Sequence, residues 1–276
     1  MPWHAHLSLN YTAQGSRTVL QHAHDGPLRV FKSLYPEGDA ICHNVIVHPP
    51  GGLVGGDVLD IAIRVGHGAH GFVSTPGATR FYAADALPAA QHVNIALDAG
   101  ARLEWLPLET IAYPGCEAVN HWQATLAEGA ELMAWDVTAL GLPSAGQLFD
   151  AGRLHQRMTI PGVWLEEARI AASDLRLLDS PLGLAGQRCM GTLVLAAGSP
   201  LARERREALL AAAQTALSQL PPGLAAGVTC PHPQLLVVRA LAPLVEPLMA
   251  TLQQAWAALR PVAWGLPAQA PRIWQV

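Results

Sequence analysis

The sequence predicts a mainly β protein whose strands stack in a solenoid-like or sandwich arrangement, with two α-helices near the C-terminus. A unit of strand, short Gly-Ala turn and second strand occurs three times. The Gly-Ala pairs begin at Gly68, Gly100 and Gly129, at intervals of 32 and 29 residues. Beyond residue 199, apolar residues recur instead at helical spacing. Three loose copies do not distinguish a solenoid from a sandwich.

Alternating apolar residues predict the strands in chain order. Short strands are expected before Tyr35, and an apolar strand runs from Ile41 to Val47. The alternation from Leu59 to Val65 opens the first repeat. After the third repeat, two alternating runs flank the turn Pro161-Gly162. We expect those runs to form a hairpin over residues 153–170.

Two helices are expected in the C-terminal part. Ser199 is a plausible N-cap with proline at the first helical position, and the turn Pro221–Gly223 ends this helix. The second helix is expected to start around Glu246, because the following proline fits only a first turn, and to end at Arg260. Without a long linker, we expect a single domain, residues 1–276, with a β body over about 1–198 and a helical part over about 199–276.

Composition excludes several classes of protein. The chain is 51% hydrophobic and 14% charged, so it can bury a large core. A net charge of -4, with no long basic run, argues against nucleic acid as a partner. The sequence contains no pattern of a signal peptide or a membrane span. We therefore expect a cytoplasmic protein that binds no membrane and, with 4 cysteines, no disulfide scaffold.

The stretch from His48 to Asp57 is the most unusual in the chain. We expect a rigid double bend, with one turn at Pro50-Gly51, another at Gly55-Gly56, and Asp57 closing the second by accepting backbone N–H bonds. No lysine follows the glycines, and leucine occupies a position where a dinucleotide loop needs glycine, so a phosphate site is excluded. A plain connection between strands is the simpler alternative. The residues of this motif are His48, Pro49, Pro50, Gly51, Gly52, Gly55, Gly56 and Asp57.

The 12 histidines raise the question of metal binding. A His-x-His pair on a strand places both rings on one face, which provides two ligands. No grouping has the paired spacing of a closed zinc site, and each alone is typical of surface or hydrogen-bonded histidines. The closest groupings are His4 with His6, His22 with His24, Cys42 and His43 with His48, and Cys230 with His232.

Four acidic residues lie beside apolar runs: Asp57, Glu109, Asp136 and Glu167. In a chain with so few charges, we hypothesise that they guide a divalent cation through the interior, with oxygen ligands binding Ni²⁺ weakly enough for transfer. Adjacent carboxylates such as Glu166 and Glu167 point to opposite faces of a strand. The alternative is a metal-dependent enzyme that uses the histidine and acidic clusters.

The segment His48–Asp57 resembles the signature of the UreD (UreH) family of urease accessory proteins. Three further segments resemble family motifs in the same order, namely Thr75–Tyr82, Leu106–Gly115 and Asp136–Gln147. The C-terminal stretch Trp256–Trp274 resembles the end of the family sequence. The resemblance therefore spans nearly the whole chain.

Two positions depart from the family pattern. Leu142 stands at the usual arginine position, and Gln147 at the usual glutamate position. The charges of those two positions therefore do not carry over to this chain.

The resemblance implies a mostly β fold with helically stacked strands and two helices near the C-terminus. It implies a non-enzymatic metallochaperone scaffold for urease maturation. Such a scaffold binds apo-urease and a UreF-like protein, which recruits a UreG-like GTPase. Nickel is implied to be in transit through an internal tunnel, with no tightly bound cofactor. By position, Asp57, Thr79, Asp136 and Glu167 match family residues for metal passage or partner binding.

Overall fold

The computed structural model describes residues 2–84 and 87–275. In these ranges two β-sheets pack face to face, and three helices accompany them. The helices are α1 (Leu175–Asp179), α2 (Arg203–Ala216) and α3 (Val245–Trp264). The strands are β1 (His4–Gln14), β2 (Arg17–Asp25), β3 (Arg29–Val30), β4 (Ile41–Val47), β5 (Val58–Val65), β6 (His70–Ser74), β7 (Thr79–Phe81), β8 (Ala89–Leu97), β9 (Arg102–Trp105), β10 (Thr110–Ala112), β11 (Cys116–Leu126), β12 (Glu131–Leu140), β13 (Gly152–Ile160), β14 (Trp164–Ala171), β15 (Cys189–Ala197), β16 (Ala225–His232) and β17 (Leu235–Ala242).

The three Gly-Ala turns carry the chain from one sheet to the other. They connect β5 to β6, β8 to β9 and β11 to β12. The first strand of each unit pairs in parallel with the first strand of the next, and the second strands do the same. Gly68, Gly100 and Gly129 have φ values of 67°, 68° and 71°, which L-residues with a side chain rarely adopt. Each repeat is thus one coil of a β-solenoid, which confirms the predicted fold class.

Antiparallel strands complete both sheets around this parallel centre. The seven-stranded sheet has the order β14-β13-β11-β8-β5-β1-β2. The ten-stranded sheet has the order β16-β17-β15-β12-β9-β6-β4-β3, with β7 and β10 attached beside it. The hairpin predicted around Pro161-Gly162 is confirmed as β13 and β14. The main core lies between the two sheets and takes apolar side chains from both.

The ten-stranded sheet is covered on its other face as well. There, α2 and α3 pack over β12, β15 and β17 and form a second apolar cluster. All ten residues of β12 are buried in consequence, so its sequence is nearly continuous in apolar residues rather than alternating. None of the helices among the described residues combines the length and apolar character required to cross a bilayer.

The structure confirms two helices near the C-terminus but corrects the predicted bounds of the first. That helix begins at Arg203, after Ala202 as N-cap, rather than at Ser199. The Ser199 hydroxyl instead accepts a hydrogen bond from the Gly129 N–H at 3.2 Å, which ties it to the third Gly-Ala turn. The helix ends at Ala216, and the apolar residues beyond it continue the packing without helical backbone.

The second helix continues beyond its predicted end. It passes through Pro261 and stops at Trp264, where Gly265 is its C-cap. A proline in a helix interior costs stability, but the indole N–H of Trp264 donates to Glu131 at 2.6 Å and holds the last turn in place. Between these two helices the chain adds β16 and β17 to the ten-stranded sheet, and β17 covers the short apolar strand that the sequence predicts at residues 235–238.

Candidate functional site

The bend from His48 to Asp57 has the two predicted turns. The Gly51 N–H donates to the His48 carbonyl at 2.9 Å, and the Asp57 N–H donates to the Val54 carbonyl at 3.0 Å. In the first turn the two prolines are the central residues, and Gly51 follows them with a φ of 81°. In the second turn Gly56 supplies the positive φ, at 87°.

The Asp57 carboxylate closes this bend. One oxygen accepts the Val54 N–H at 3.0 Å, and the other accepts the Trp3 N–H at 3.2 Å. The side chain is buried, with 3% of its surface exposed. Both carboxylate oxygens are therefore used to fix the backbone, as the sequence predicted for this residue.

The second motif, Thr75–Tyr82, docks directly onto the bend. The Leu53 N–H donates to the Arg80 carbonyl at 2.7 Å, and the Tyr82 N–H donates to the Leu53 carbonyl at 2.9 Å. A Cβ atom at Gly52 would lie 2.2 Å from the Tyr82 ring. Glycine at this position is required by the close approach of the ring, so the two motifs form one packed unit.

A cavity of about 210 Å³ lies where these motifs meet. Thr79 lines it, together with His48 and, from the seven-stranded sheet, Gln91. Burial lowers the pKa of His48, against the opposing charge of Asp57, so the ring is neutral at pH 7. Its Nε2 atom has no hydrogen-bond partner among the described residues. The cavity is therefore lined by neutral polar groups, by apolar side chains and by the cationic Arg80.

A row of three amide side chains crosses the inner face of the seven-stranded sheet. Gln91, Asn120 and Gln156 lie opposite one another on β8, β11 and β13. We call these three residues the amide row. The Gln91 side-chain NH₂ donates to the Asn120 carbonyl oxygen at 3.2 Å. The row therefore links the first cavity to the interior between the sheets.

The amide row ends on the Asp136 carboxylate, which projects from β12 of the opposite sheet. Asn120 donates to Oδ2 at 3.0 Å, and Gln156 donates to Oδ1 at 2.6 Å. The Thr138 hydroxyl also donates to Oδ1, at 3.1 Å. Burial raises the pKa of Asp136 to about 6, although these hydrogen bonds oppose the shift.

Asp136 has no cationic side chain among its hydrogen-bond or ion-pair partners in the described residues. Buried carboxylates are normally paired with a positive charge, because an isolated one is costly. The arrangement is therefore an uncompensated negative charge, surrounded by amide and hydroxyl groups that can rotate. A divalent cation would stabilise it.

A second cavity, of about 400 Å³, opens beyond Asp136. Asp136 and Gln156 line it, as do Glu166 and Arg239, which form an ion pair at its wall. The Thr192 hydroxyl donates to Glu166 at 3.3 Å. Hydrogen-bonded polar groups thus run from one cavity, through the amide row and Asp136, to the other.

Glu167 lies on the opposite face of β14 from this interior. Its carboxylate is 2.8 Å from His155 Nε2, and this hydrogen bond lowers the pKa of Glu167. The predicted alternation is confirmed, since Glu166 lines the second cavity and Glu167 faces outward. Among the described residues, Asp57, Thr79, Asp136 and Glu167 therefore lie at four separate places: the bend, the first cavity, the interior and the outer face.

The two departures from the family pattern lie in one small loop. Leu142 and Gln147 exchange backbone hydrogen bonds, at 2.9 Å and 3.1 Å, and so close the loop without using their side chains. Leu142 also lines a third cavity, with Glu109 and residues of α3. The shape of this loop does not depend on the charges that the family pattern has there.

The amide row was not predicted from the sequence, although a pattern for it was present. Gln156 occupies an inward position in the alternation of β13, between Leu154 and Met158, and Asn120 does the same in β11. A polar residue at an inward position of a strand is informative, because burying it requires a partner.

Comparison with known proteins gives a consistent result over the full length. The family model described as UreD urease accessory protein matches residues 4–275. The chain is 58% identical over 274 residues to the urease accessory protein UreD of Albidiferax ferrireducens, covering 99% of each chain. It is 56% identical to the protein of that name from Variovorax paradoxus, again over 99% of each, and 56% identical to that of Polaromonas naphthalenivorans over 100% of each.

Proposed function

The chain belongs to the UreD family of urease accessory proteins, which places its role in urease maturation, and we propose that it delivers nickel to apo-urease through its interior. In this proposal it is a non-catalytic, cytoplasmic scaffold. It binds apo-urease and a UreF-like protein, and through the latter a UreG-like GTPase. Nickel is its cargo rather than a resident cofactor.

The observation that carries this proposal is the uncompensated carboxylate of Asp136 between two cavities. Ni²⁺ accepts oxygen ligands such as carboxylates and amide carbonyls, but it binds them less tightly than a histidine or thiolate set. Asn120 and Gln156 can turn their carbonyl oxygens toward a cation and their NH₂ groups toward the carboxylate when no cation is present. Such a site attracts a cation without trapping it.

The bend at His48–Asp57 supports the same proposal in a different way. Asp57 uses both oxygens to hold backbone N–H groups, so it shapes the wall of the first cavity from behind. Thr79 lines that cavity directly. We propose that Thr79 and Asp136 are on the path of the metal, that Asp57 maintains the mouth of that path, and that Glu167 acts at the surface in partner binding.

Reconstitution of urease activation tests the proposal. Apo-urease is incubated with UreF, UreG, GTP, nickel and bicarbonate, with or without this chain, and urease activity is followed. We expect activation to depend on the chain and to be largely lost with Asp136→Asn. The matched control is Asp98→Asn, because Asp98 is an exposed carboxylate whose one ion-pair partner among the described residues is Arg64.

Two results would contradict the proposal. Equal activation without the chain would contradict the proposed scaffold role and would favour the alternative that the protein is a metal-dependent enzyme. Full activation with Asp136→Asn, in a variant that still co-elutes with UreF, would leave the scaffold role intact and refute the internal path.

A further inference from the structure

Histidines and carboxylates are aligned across the outer face of the seven-stranded sheet. The parallel register places His6 opposite Asp60, Asp60 opposite His92, and His92 opposite His121. Neighbouring strands lie about 4.8 Å apart, so such residues form a continuous row on one face. On β1, His4 lies on the same face as His6, and Asp25 of β2 lies opposite His6 at the end of the row.

Three of these residues bring their ligand atoms together. One nitrogen of His4, one nitrogen of His6 and one carboxylate oxygen of Asp60 all lie within 4.8 Å of one another. His4 hydrogen-bonds Asp60 through Nε2, and His6 Nδ1 is 3.7 Å from the same oxygen. The two imidazole rings lie 4.1 Å apart between centroids. A small inward movement of these side chains would place all three around one ion.

We propose that His4, His6 and Asp60 form a binding site for a divalent transition-metal ion such as Ni²⁺ or Zn²⁺. Two imidazoles and a carboxylate are a ligand set that these ions bind in proteins, with water completing the coordination. The ligands come from two strands whose register is fixed by the sheet, so the site is largely formed before the metal binds. We call these three residues the outer site.

His92 supports the outer site from the next strand. Its Nδ1 atom is 3.0 Å from Oδ1 of Asp60, the oxygen that His4 does not contact. A hydrogen bond at this position orients the carboxylate and leaves its other oxygen directed at the two histidines. His92 is therefore a positioning residue of the outer site.

The outer site is separate from the proposed internal path. On β8, Gln91 faces the interior and the adjacent His92 faces outward, and on β11 the same holds for Asn120 and His121. Because successive side chains of a strand point to opposite faces, the sheet itself lies between the two polar rows. Metal binding at the outer site can thus be measured independently of urease activation.

The chain contains a matched comparison for this site. His22 and His24 form a second His-x-His pair on β2, with rings stacked 6.3 Å apart. The side-chain contact of that pair is with the Arg29 guanidinium, 3.1 Å from His24, rather than with a carboxylate. A nearby positive charge disfavours cation binding. The same sequence pattern is therefore expected to bind metal at the first pair and not at the second.

The test is equilibrium dialysis of the full-length chain against Co²⁺ or Ni²⁺, combined with the visible absorption of bound Co²⁺. We expect His6→Asn and Asp60→Asn each to lose about one equivalent of metal per chain and the corresponding Co²⁺ bands. His92→Asn should keep the site but weaken its affinity by about tenfold or more. The double variant His22→Asn/His24→Asn should bind metal like the wild type.

The proposal is overturned if His6→Asn and Asp60→Asn bind as much metal as the wild type. It is also overturned if the control pair loses the same equivalent, because the binding would then reflect exposed histidines in general. All the substituted side chains are at least partly exposed, so circular dichroism should show unchanged folding in each variant.

Discussion

Two buried carboxylates on neighbouring strands of the ten-stranded sheet differ in the charge of the groups that donate hydrogen bonds to them. Glu104, under α3, is fully buried and accepts from Arg260 at 3.1 Å and from the Trp256 indole N–H at 2.6 Å. Arg260 is itself fully buried and also pairs with Glu37. Asp136, on the other face of the same sheet, accepts only from neutral donors among the described residues.

We interpret this difference as one between a structural role for Glu104 and the functional role proposed for Asp136. The Glu104 network pairs both of its carboxylates with the Arg260 guanidinium and attaches α3 to the sheet. Asp136 has no cationic partner among the described residues, so its burial lowers stability. Residues that lower stability in this way tend to occur at functional sites. The contrast predicts that removing charge has opposite effects on stability at the two places.

The largest effect is expected from Arg260→Met. Removing the guanidinium leaves the buried carboxylate of Glu104 without its cation, so the free energy of unfolding should fall by about 3–5 kcal/mol. Urea denaturation measures this. Arg203→Met is the control. In the described part of the chain Arg203 forms one exposed ion pair, with Glu207, so this substitution should change the free energy of unfolding by less than about 0.5 kcal/mol. Equal effects of the two substitutions would contradict the conclusion that the Glu104 network stabilises the fold.

A smaller loss is expected from Asp57→Ala. Among the described residues its carboxylate has no cationic partner but accepts two backbone N–H groups, which would be left without a partner in the variant. We expect a loss of about 2 kcal/mol in unfolding free energy, and impaired urease activation by a chain that remains folded. Full activation by a folded Asp57→Ala chain would show that the bend does not shape the path.

Asp136→Asn should instead stabilise the protein at pH 7, by about 1–2 kcal/mol, while urease activation is lost. The pKa of Asp136 is about 6 in the folded chain, against an ordinary 3.8. The folded state therefore binds more protons than the unfolded state between these values. The contribution of Asp136 to stability falls as pH rises from about 4 to about 6 and stays constant above.

Urea denaturation at several pH values checks this sign. The wild type should lose stability, relative to Asp136→Asn, as pH rises from about 4 to about 6. A variant that is less stable than the wild type at pH 7 would mean that the carboxylate is needed by the fold, and the contrast with Glu104 would no longer hold.

The smallest effect is expected from Glu167→Gln. This carboxylate is on the outer face and pairs with His155 and Arg169, so its loss should leave the free energy of unfolding nearly unchanged. Glu166→Gln, on the inner face, is the comparison. If Glu167 acts in partner binding, its variant should lose affinity for UreF or apo-urease in co-elution, whereas unaltered binding to both would refute that role.

The coil pattern could be predicted from the sequence because its causes are local. A glycine with positive φ must recur at each turn, and the side-chain period of 2 is visible along each strand. Asp136 was indicated both by its place beside an apolar run and by the family resemblance, and alternation indicated that only one of Glu166 and Glu167 faces inward. Alternation alone does not say which face is the interior.

The contacts that complete the two networks could not be predicted in the same way. Arg260 and Glu104 lie 156 residues apart, and only the packing of α3 brings them together. The amide row depends on the register between β8, β11 and β13, which the turns set jointly. A single strand shows that Gln156 is a polar residue on an apolar face, but not which partners it meets.

The shared register of the coils has a consequence for how this sequence can change. Gln91 and His92 are adjacent on β8, one facing each side of the sheet, so deleting a single residue ahead of them would exchange the two faces. Histidines would enter the interior between the sheets, and amides would face the solvent. Within the regularly paired strands β5, β8 and β11, length changes therefore preserve both faces only in steps of two residues, whereas single insertions fit in the turns. The two-residue period of the strands therefore constrains the number of residues that each coil can have between its turns.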